Sequence, residues 1–158
     1  MPRSALADEA QLIGYMKTVA VGRSGFSSFL SFEPLRGWDG IAEILVKVRP
    51  KLMQYHGFVH GEIVGLMADS SCAWAASSSV GDVVTGSYTI NFLTPAKGDL
   101  LRSKGSVVKA WRRQVVVRSD VWSESSDQEP ALVAVTQSTM VPTGLVKSSG
   151  ESEAGANV

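Results

Sequence analysis

The chain has 158 residues, 44% of them hydrophobic and 19% charged, the length and composition of one globular domain with its own apolar core. Fifteen basic and fifteen acidic side chains cancel, so no global charge draws the protein to nucleic acid or to an anionic membrane, and an anionic ligand has to be met by local groups. A single cysteine, Cys72, lies in an apolar stretch and fits a reduced, buried thiol; the first twenty residues include Asp8, Glu9 and Lys17 and lack the apolar core of a signal peptide, so a soluble, cytoplasmic protein is expected.

Within residues 5–20, Leu12, Ile13, Met16 and Val19 recur at helical spacing, with Gly22 and Gly25 after them as stop signals. This predicts a first amphipathic helix. Phe26, Phe29, Leu30 and Phe32 then cluster in a segment broken by Pro34 and by the turn Arg36-Gly37-Trp38-Asp39-Gly40. Such a cluster covers a core edge or lines an apolar pocket, so residues 1–35 are expected to pack on the domain that follows. From Ile41 to Arg49, Ala42, Ile44, Val46 and Val48 alternate with Glu43, Lys47 and Arg49, a half-buried strand stopped by Pro50.

The stretch from His60 to Val80 reads as one long buried helix. Its length approaches that of a membrane span, but Asp69 and five serines make it a poor one. Between Glu62 and Asp82 the only ionisable carboxylate is Asp69, set among Leu66, Met67, Ala68, Cys72, Ala73 and Trp74, where an unpaired charge is costly. Around it Gly65, Ala68, Ser70, Ser71, Ala75 and Ala76 are small, so other backbone can approach this helix closely on more than one side.

After the helix, Val84, Gly86, Tyr88, Ile90 and Phe92 alternate with Thr85, Ser87, Thr89 and Asn91 up to Pro95. Leu100 to Trp111 and Gln114 to Ser123 predict a hairpin joined at Arg112-Arg113. A break at residues 125–130 precedes a last strand, Ala131 to Val141. Beyond Pro142, residues 143–158 are too polar to bury and are expected to be a disordered tail. Short-linked consecutive strands imply an antiparallel sheet and an α+β class. With a long buried helix to cover, the arrangement resembles the hotdog fold, a curved antiparallel sheet wrapped around a long central helix.

The segment Gln54-Tyr-His56-Gly-Phe-Val-His60-Gly61-Glu62, followed by Leu66 and Asp69, resembles the signature of the PaaI-type hotdog acyl-CoA thioesterases, in which His-Gly-Gly is followed by an acidic residue nine positions after the histidine. Val84-Thr85 and Asn91-Phe92-Leu93-Thr94-Pro95-Ala96 resemble the family downstream, and the likeness covers roughly residues 36–142. It implies an acyl-CoA substrate hydrolysed to free acid and coenzyme A, with no cofactor and no metal. It also implies a homodimer, or a homotetramer as a dimer of dimers, with Gly61 of one subunit facing Asp69 of another.

By that resemblance Asp69 activates water or attacks directly, Gly61 donates its backbone N–H to the oxyanion, Gln54 supplies a second donor and Thr85 orients the water. The chemistry agrees: hydrolysis needs a base or nucleophile near the carbonyl carbon and donors for the developing oxyanion, and a glycine at a helix start offers a free N–H at the positive end of the dipole. His60 is expected to hold the loop beside the substrate. Glu62 stands where the family has a second glycine; the dipole favours a carboxylate there, but close to an oxyanion it would oppose the developing charge, so it is expected to point away. Arg112 and Arg113 could meet the coenzyme A phosphates, and Lys104 and Lys109 are further candidates.

A structural reading competes at each position: Asp69 bonded to nearby serines, Gly61 a helix-start glycine, Gln54 an exposed loop amide, Thr85 a solvent-facing strand residue. His56, His60 and Glu62 have a spacing that can bind zinc, but the glycine between the histidines argues against both rings on one helical face. Two other activities stay open, a non-catalytic acyl-CoA-binding protein, to which Glu62 lends weight, and a hotdog hydratase, whose signature is absent.

Overall fold

The computed structural model describes residues 8–22 and 25–144. The elements run α1 (Glu9–Gly22), α2 (Gly25–Leu30), β1 (Glu33–Trp38), β2 (Ile41–Lys47), a short 3-10 turn at Pro50–Leu52, α3 (Gly61–Val80), β3 (Val83–Phe92), β4 (Leu100–Ala110), β5 (Val115–Ser125) and β6 (Gln128–Pro142). The six strands form one sheet in the order β1-β2-β4-β5-β6-β3, every neighbouring pair antiparallel, curved around α3. This is the expected α+β hotdog architecture. Residues 1–7, where the first helix was expected to begin, and the polar tail from residue 145 lie outside the described residues.

Small residues let α3 sit directly on the sheet. A Cβ on Gly105 of β4 would stand 2.2 Å from the Ser71 carbonyl oxygen, so helix backbone and strand are in contact there. Two apolar clusters fill the concave side, one around Met16, Ile44, Met67, Leu101 and Val121, the other around Cys72, Ala76, Val117 and Met140. Between them, the buried hydroxyls of Ser71, Ser103 and Ser119 form a triangle with sides of 2.7, 2.8 and 3.0 Å. Mutual bonding avoids the roughly 1–3 kcal/mol that each unsatisfied buried hydroxyl would cost. The triangle also fixes the rotation of α3: with Ser71 against the sheet, Asp69 is turned about 200° around the helix from it.

Two elements and two turns differ from the expectation. The segment containing Phe26 and Phe29 is a short helix, and Glu33–Trp38 is a sixth strand. As an edge strand bonded only to β2, with a register shift between Pro34 and Arg36, β1 tolerates its proline. The expected five-residue turn contracts to Asp39-Gly40, both at positive φ (49° and 79°), which suits a tight hairpin. Likewise Ser125 pairs with Gln128, so Ser126-Asp127 is the whole turn, and Pro130 lies where the β5–β6 register shifts and no ladder bond is needed from it.

Candidate active site

The start of α3 leaves one amide free. His60 is the N-cap, and its Nδ1 accepts the Glu62 N–H at 3.2 Å, while its carbonyl accepts those of Ile63 and Val64 at 3.0 and 3.3 Å. Among the described residues the Gly61 N–H has no acceptor, and it lies at the positive end of a 20-residue helix. Gly61 and Gln54 both line a cavity of about 340 Å³, walled by Phe58, Val64, Phe92 and Leu93. The Gln54 backbone is pinned by a tight loop, its N–H donating to Phe58 O at 2.9 Å and its carbonyl accepting from Gly57 at 3.0 Å, which holds the half-buried residue at the cavity.

Further along α3, Asp69 accepts a hydrogen bond from the Thr85 hydroxyl at 2.8 Å. Its serine neighbour Ser71 does not bond to it, being turned to Ser103, Ser119 and the Ala68 carbonyl. Asp69 is half-buried rather than sealed in the core, because its side of the helix opens on a second cavity of about 300 Å³. Tyr15 of α1, Phe32 and Trp74 form the aromatic part of that wall, with Tyr15 and Trp74 edge to face at 6.2 Å. Of the aromatic cluster seen in the sequence only Phe32 reaches this cavity. Phe26 and Phe29 stack on each other at the surface. Trp74 stands in the sequence among the residues around Asp69, whereas Tyr15 was not read from it; its place one position before Met16 gives no sign that it shares a cavity with Asp69.

Gly61 and Asp69 lie apart within the chain. Asp69 lies eight positions after Gly61 on α3, about 12 Å of axial rise, and each opens on its own cavity. Glu62 is exposed and does not line the Gly61 cavity. Arg112 and Arg113 are exposed between β4 and β5, distant in sequence from both cavities. The His56 ring stacks beside Tyr55 and Phe58, whereas His60 Nδ1 is taken by the helix cap, so the two histidines serve different neighbours. Burial pushes the Cys72 thiol up to about 11, with the Asp69 charge adding to the rise, which removes it as a nucleophile. No helix among the described residues is long and apolar enough to cross a membrane.

The six-stranded antiparallel sheet curved around α3 defines a hotdog-fold protein. Residues 56–129 match the family model described as the thioesterase superfamily. Among solved structures, a thioesterase family protein from Silicibacter pomeroyi is 28% identical with a TM-score of 0.74, over 81% of this chain and 97% of that one. The phenylacetic acid degradation protein PaaI from Thermus thermophilus is 26% identical with a TM-score of 0.67, over 75% of this chain and 98% of that one. The Escherichia coli PaaI protein, from the phenylacetic acid degradation operon, is 20% identical with a TM-score of 0.73, over 87% and 97%, a likeness of fold. No curated protein matches the chain. The match over residues 56–129 and the fold make the chain similar to the PaaI-type hotdog proteins of the thioesterase superfamily, and they support a thioesterase-type function.

Proposed function

We propose that the chain is an acyl-CoA thioesterase whose active site is completed by a second copy. The observation that carries this is the free Gly61 N–H, the one amide of the first turn of α3 without an acceptor among the described residues, opening with Gln54 on an apolar cavity. Two donors converging there suit a thioester carbonyl that becomes an oxyanion. Asp69 is the base: its carboxylate takes a proton from water as the water oxygen bonds to the carbonyl carbon, and Thr85 holds the carboxylate in place. Collapse of the tetrahedral adduct breaks the carbon–sulfur bond, coenzyme A leaves as thiolate and is protonated, and the acid is released. Direct attack by Asp69, giving an anhydride that water then opens, uses the same groups.

A second copy supplies the missing half. At the sheet edge β3 carries no charged residue and no proline over ten residues, and it is largely exposed, an edge that soluble proteins cover. Pairing β3 with β3 of another copy about a two-fold axis would bring Asp69 of one subunit toward Gly61 of the other, in a dimer or a dimer of dimers. Arg112 and Arg113 are then candidates for the coenzyme A phosphates, and no metal or cofactor enters the chemistry. A cytoplasmic setting suits a substrate made and used there. The exposed Glu62, outside the cavity, weighs against the non-catalytic reading.

Thiol release from short, long and aromatic acyl-CoAs tests the proposal. Turnover of at least one class is expected, whereas tight acyl-CoA binding without thiol release would establish the non-catalytic alternative.

A further inference from the structure

We infer that Gly86 is a positioning residue for the Asp69–Thr85 pair, an inference that rests on the thioesterase reading of that site. In a regular strand, side chains alternate, so two residues on one face are separated by an even number of positions. Tyr88 faces α3, its hydroxyl 3.5 Å from where a Cβ on Gly65 would stand. Thr85 also faces α3, with its hydroxyl 2.8 Å from Asp69 Oδ1 and 3.5 Å from the sulfur of the buried Met140. Three positions separate Thr85 from Tyr88, so the strand holds one extra residue between them.

The pairing with β6 locates it. Thr85 stands opposite Met140 and Ser87 opposite Thr139, which leaves Gly86 without a partner in the ladder. This is a β-bulge, a device that re-aims a side chain without changing the rest of the strand. A straight ladder continued from Ser87 would set Gly86 opposite Met140 and Thr85 opposite the exposed Val141, with the hydroxyl turned away from Asp69.

Glycine also fits the space. A Cβ at position 86 would lie 3.1 Å from Val141 Cγ2 and 3.3 Å from Thr139 O, closer than ordinary contact. Alanine therefore needs a small shift of the ladder. Valine needs a larger one and favours the regular pleat.

The test compares wild type, Gly86→Ala, Gly86→Val, Thr85→Val and the Gly86→Val/Thr85→Val double variant in steady-state thiol release from the acyl-CoA that wild type hydrolyses fastest. Gly86→Val is expected to lower kcat about tenfold at unchanged KM, as Thr85→Val does, the loss of one charge-assisted hydrogen bond. The double variant is expected to be no worse than either single one, because both changes remove the same bond. Gly86→Ala is expected to lose less and to regain activity when Val141→Ala restores room; it carries the test if the valine variant does not fold. Losses that multiply in the double variant, or a normal kcat in both Gly86 variants, overturn the inference. If wild type releases no thiol at all, the thioesterase reading fails instead, and crystal structures of the Gly86 variants decide on the bulge. Separation of Thr85 Oγ1 from Asp69 supports it, and an unchanged 2.8 Å contact overturns it.

Discussion

Thr85 Oγ1 donates to Asp69 Oδ1 at 2.8 Å, tying the edge strand of the sheet to the middle of the central helix. A base that must take a proton from water works only if its carboxylate is held in one orientation, and this bond holds it. Thr85→Val keeps the shape of the side chain and removes the donor. A kcat about tenfold lower is expected, the kinetic equivalent of one charge-assisted hydrogen bond, while Thr85→Ser retains most of the rate. Steady-state kinetics on the two variants check it, and equal rates in Val and Ser would deny the hydroxyl a role.

Removal of the Gly61 N–H can be done without breaking the helix. Position 61 is the first residue of α3, where proline is well accommodated, His60 before it is extended (φ −61°, ψ 136°), and an added Cβ would meet only the Phe92 ring at 3.5 Å. Gly61→Pro is therefore expected to fold and to lose roughly 100-fold or more in turnover, the cost of one oxyanion donor. The same variant tests whether the site is shared between copies. Mixed by unfolding and refolding with Asp69→Asn, it should recover about a quarter of wild-type activity, because half the dimers are mixed and each of these has one intact site. No recovery would place both groups in one subunit.

Much of this arrangement was legible in the residues. The α+β class, the long helix, and Gly61, Gln54 and Asp69 as groups worth watching follow from patterning and from the resemblance, because a carboxylate in an apolar helix and a glycine at its start are local signals. What could not be read was long-range. Glu33–Trp38 looks like a loop because its proline and glycine are acceptable only on an edge strand, and edge position is a property of the whole sheet. Thr85 looks solvent-facing under strict alternation, and only the pairing with β6 exposes the register break that turns it inward. Tyr15 comes from an element far in sequence from Asp69 and Trp74, so its part in the cavity they share left no trace in α1.

Glu62 stands outside the Gly61 cavity with an exposed side chain. Glu62→Gly is accordingly expected to leave the rate unchanged. It should lower the melting temperature, since glycine costs about 1 kcal/mol of helix propensity and the favourable charge at the helix start is lost. A rate that rises would mean that Glu62 approaches the oxyanion in the assembled site. A rate that falls would make it part of the machinery.

Burial pushes the Cys72 thiol from an ordinary 9.0 up to about 11. The folded state thus holds the proton more tightly than the unfolded chain, so the contribution of the thiol to stability is complete below about pH 9 and is lost as pH rises through about 11. Urea midpoints of wild type and Cys72→Ala, measured between pH 8 and pH 11, should converge because the wild type falls faster. Parallel curves would mean that the thiol ionises as readily folded as unfolded.

The central claim is that Asp69 performs the chemistry. Asp69→Asn keeps the volume of the side chain and can still accept the Thr85 hydrogen bond, so the fold should survive, as judged by an unchanged circular dichroism spectrum and a cooperative melt. Thiol release from the preferred acyl-CoA is expected to fall at least about 100-fold, the effect of losing a general base or nucleophile. Near-normal turnover in a well-folded Asp69→Asn protein would contradict the account.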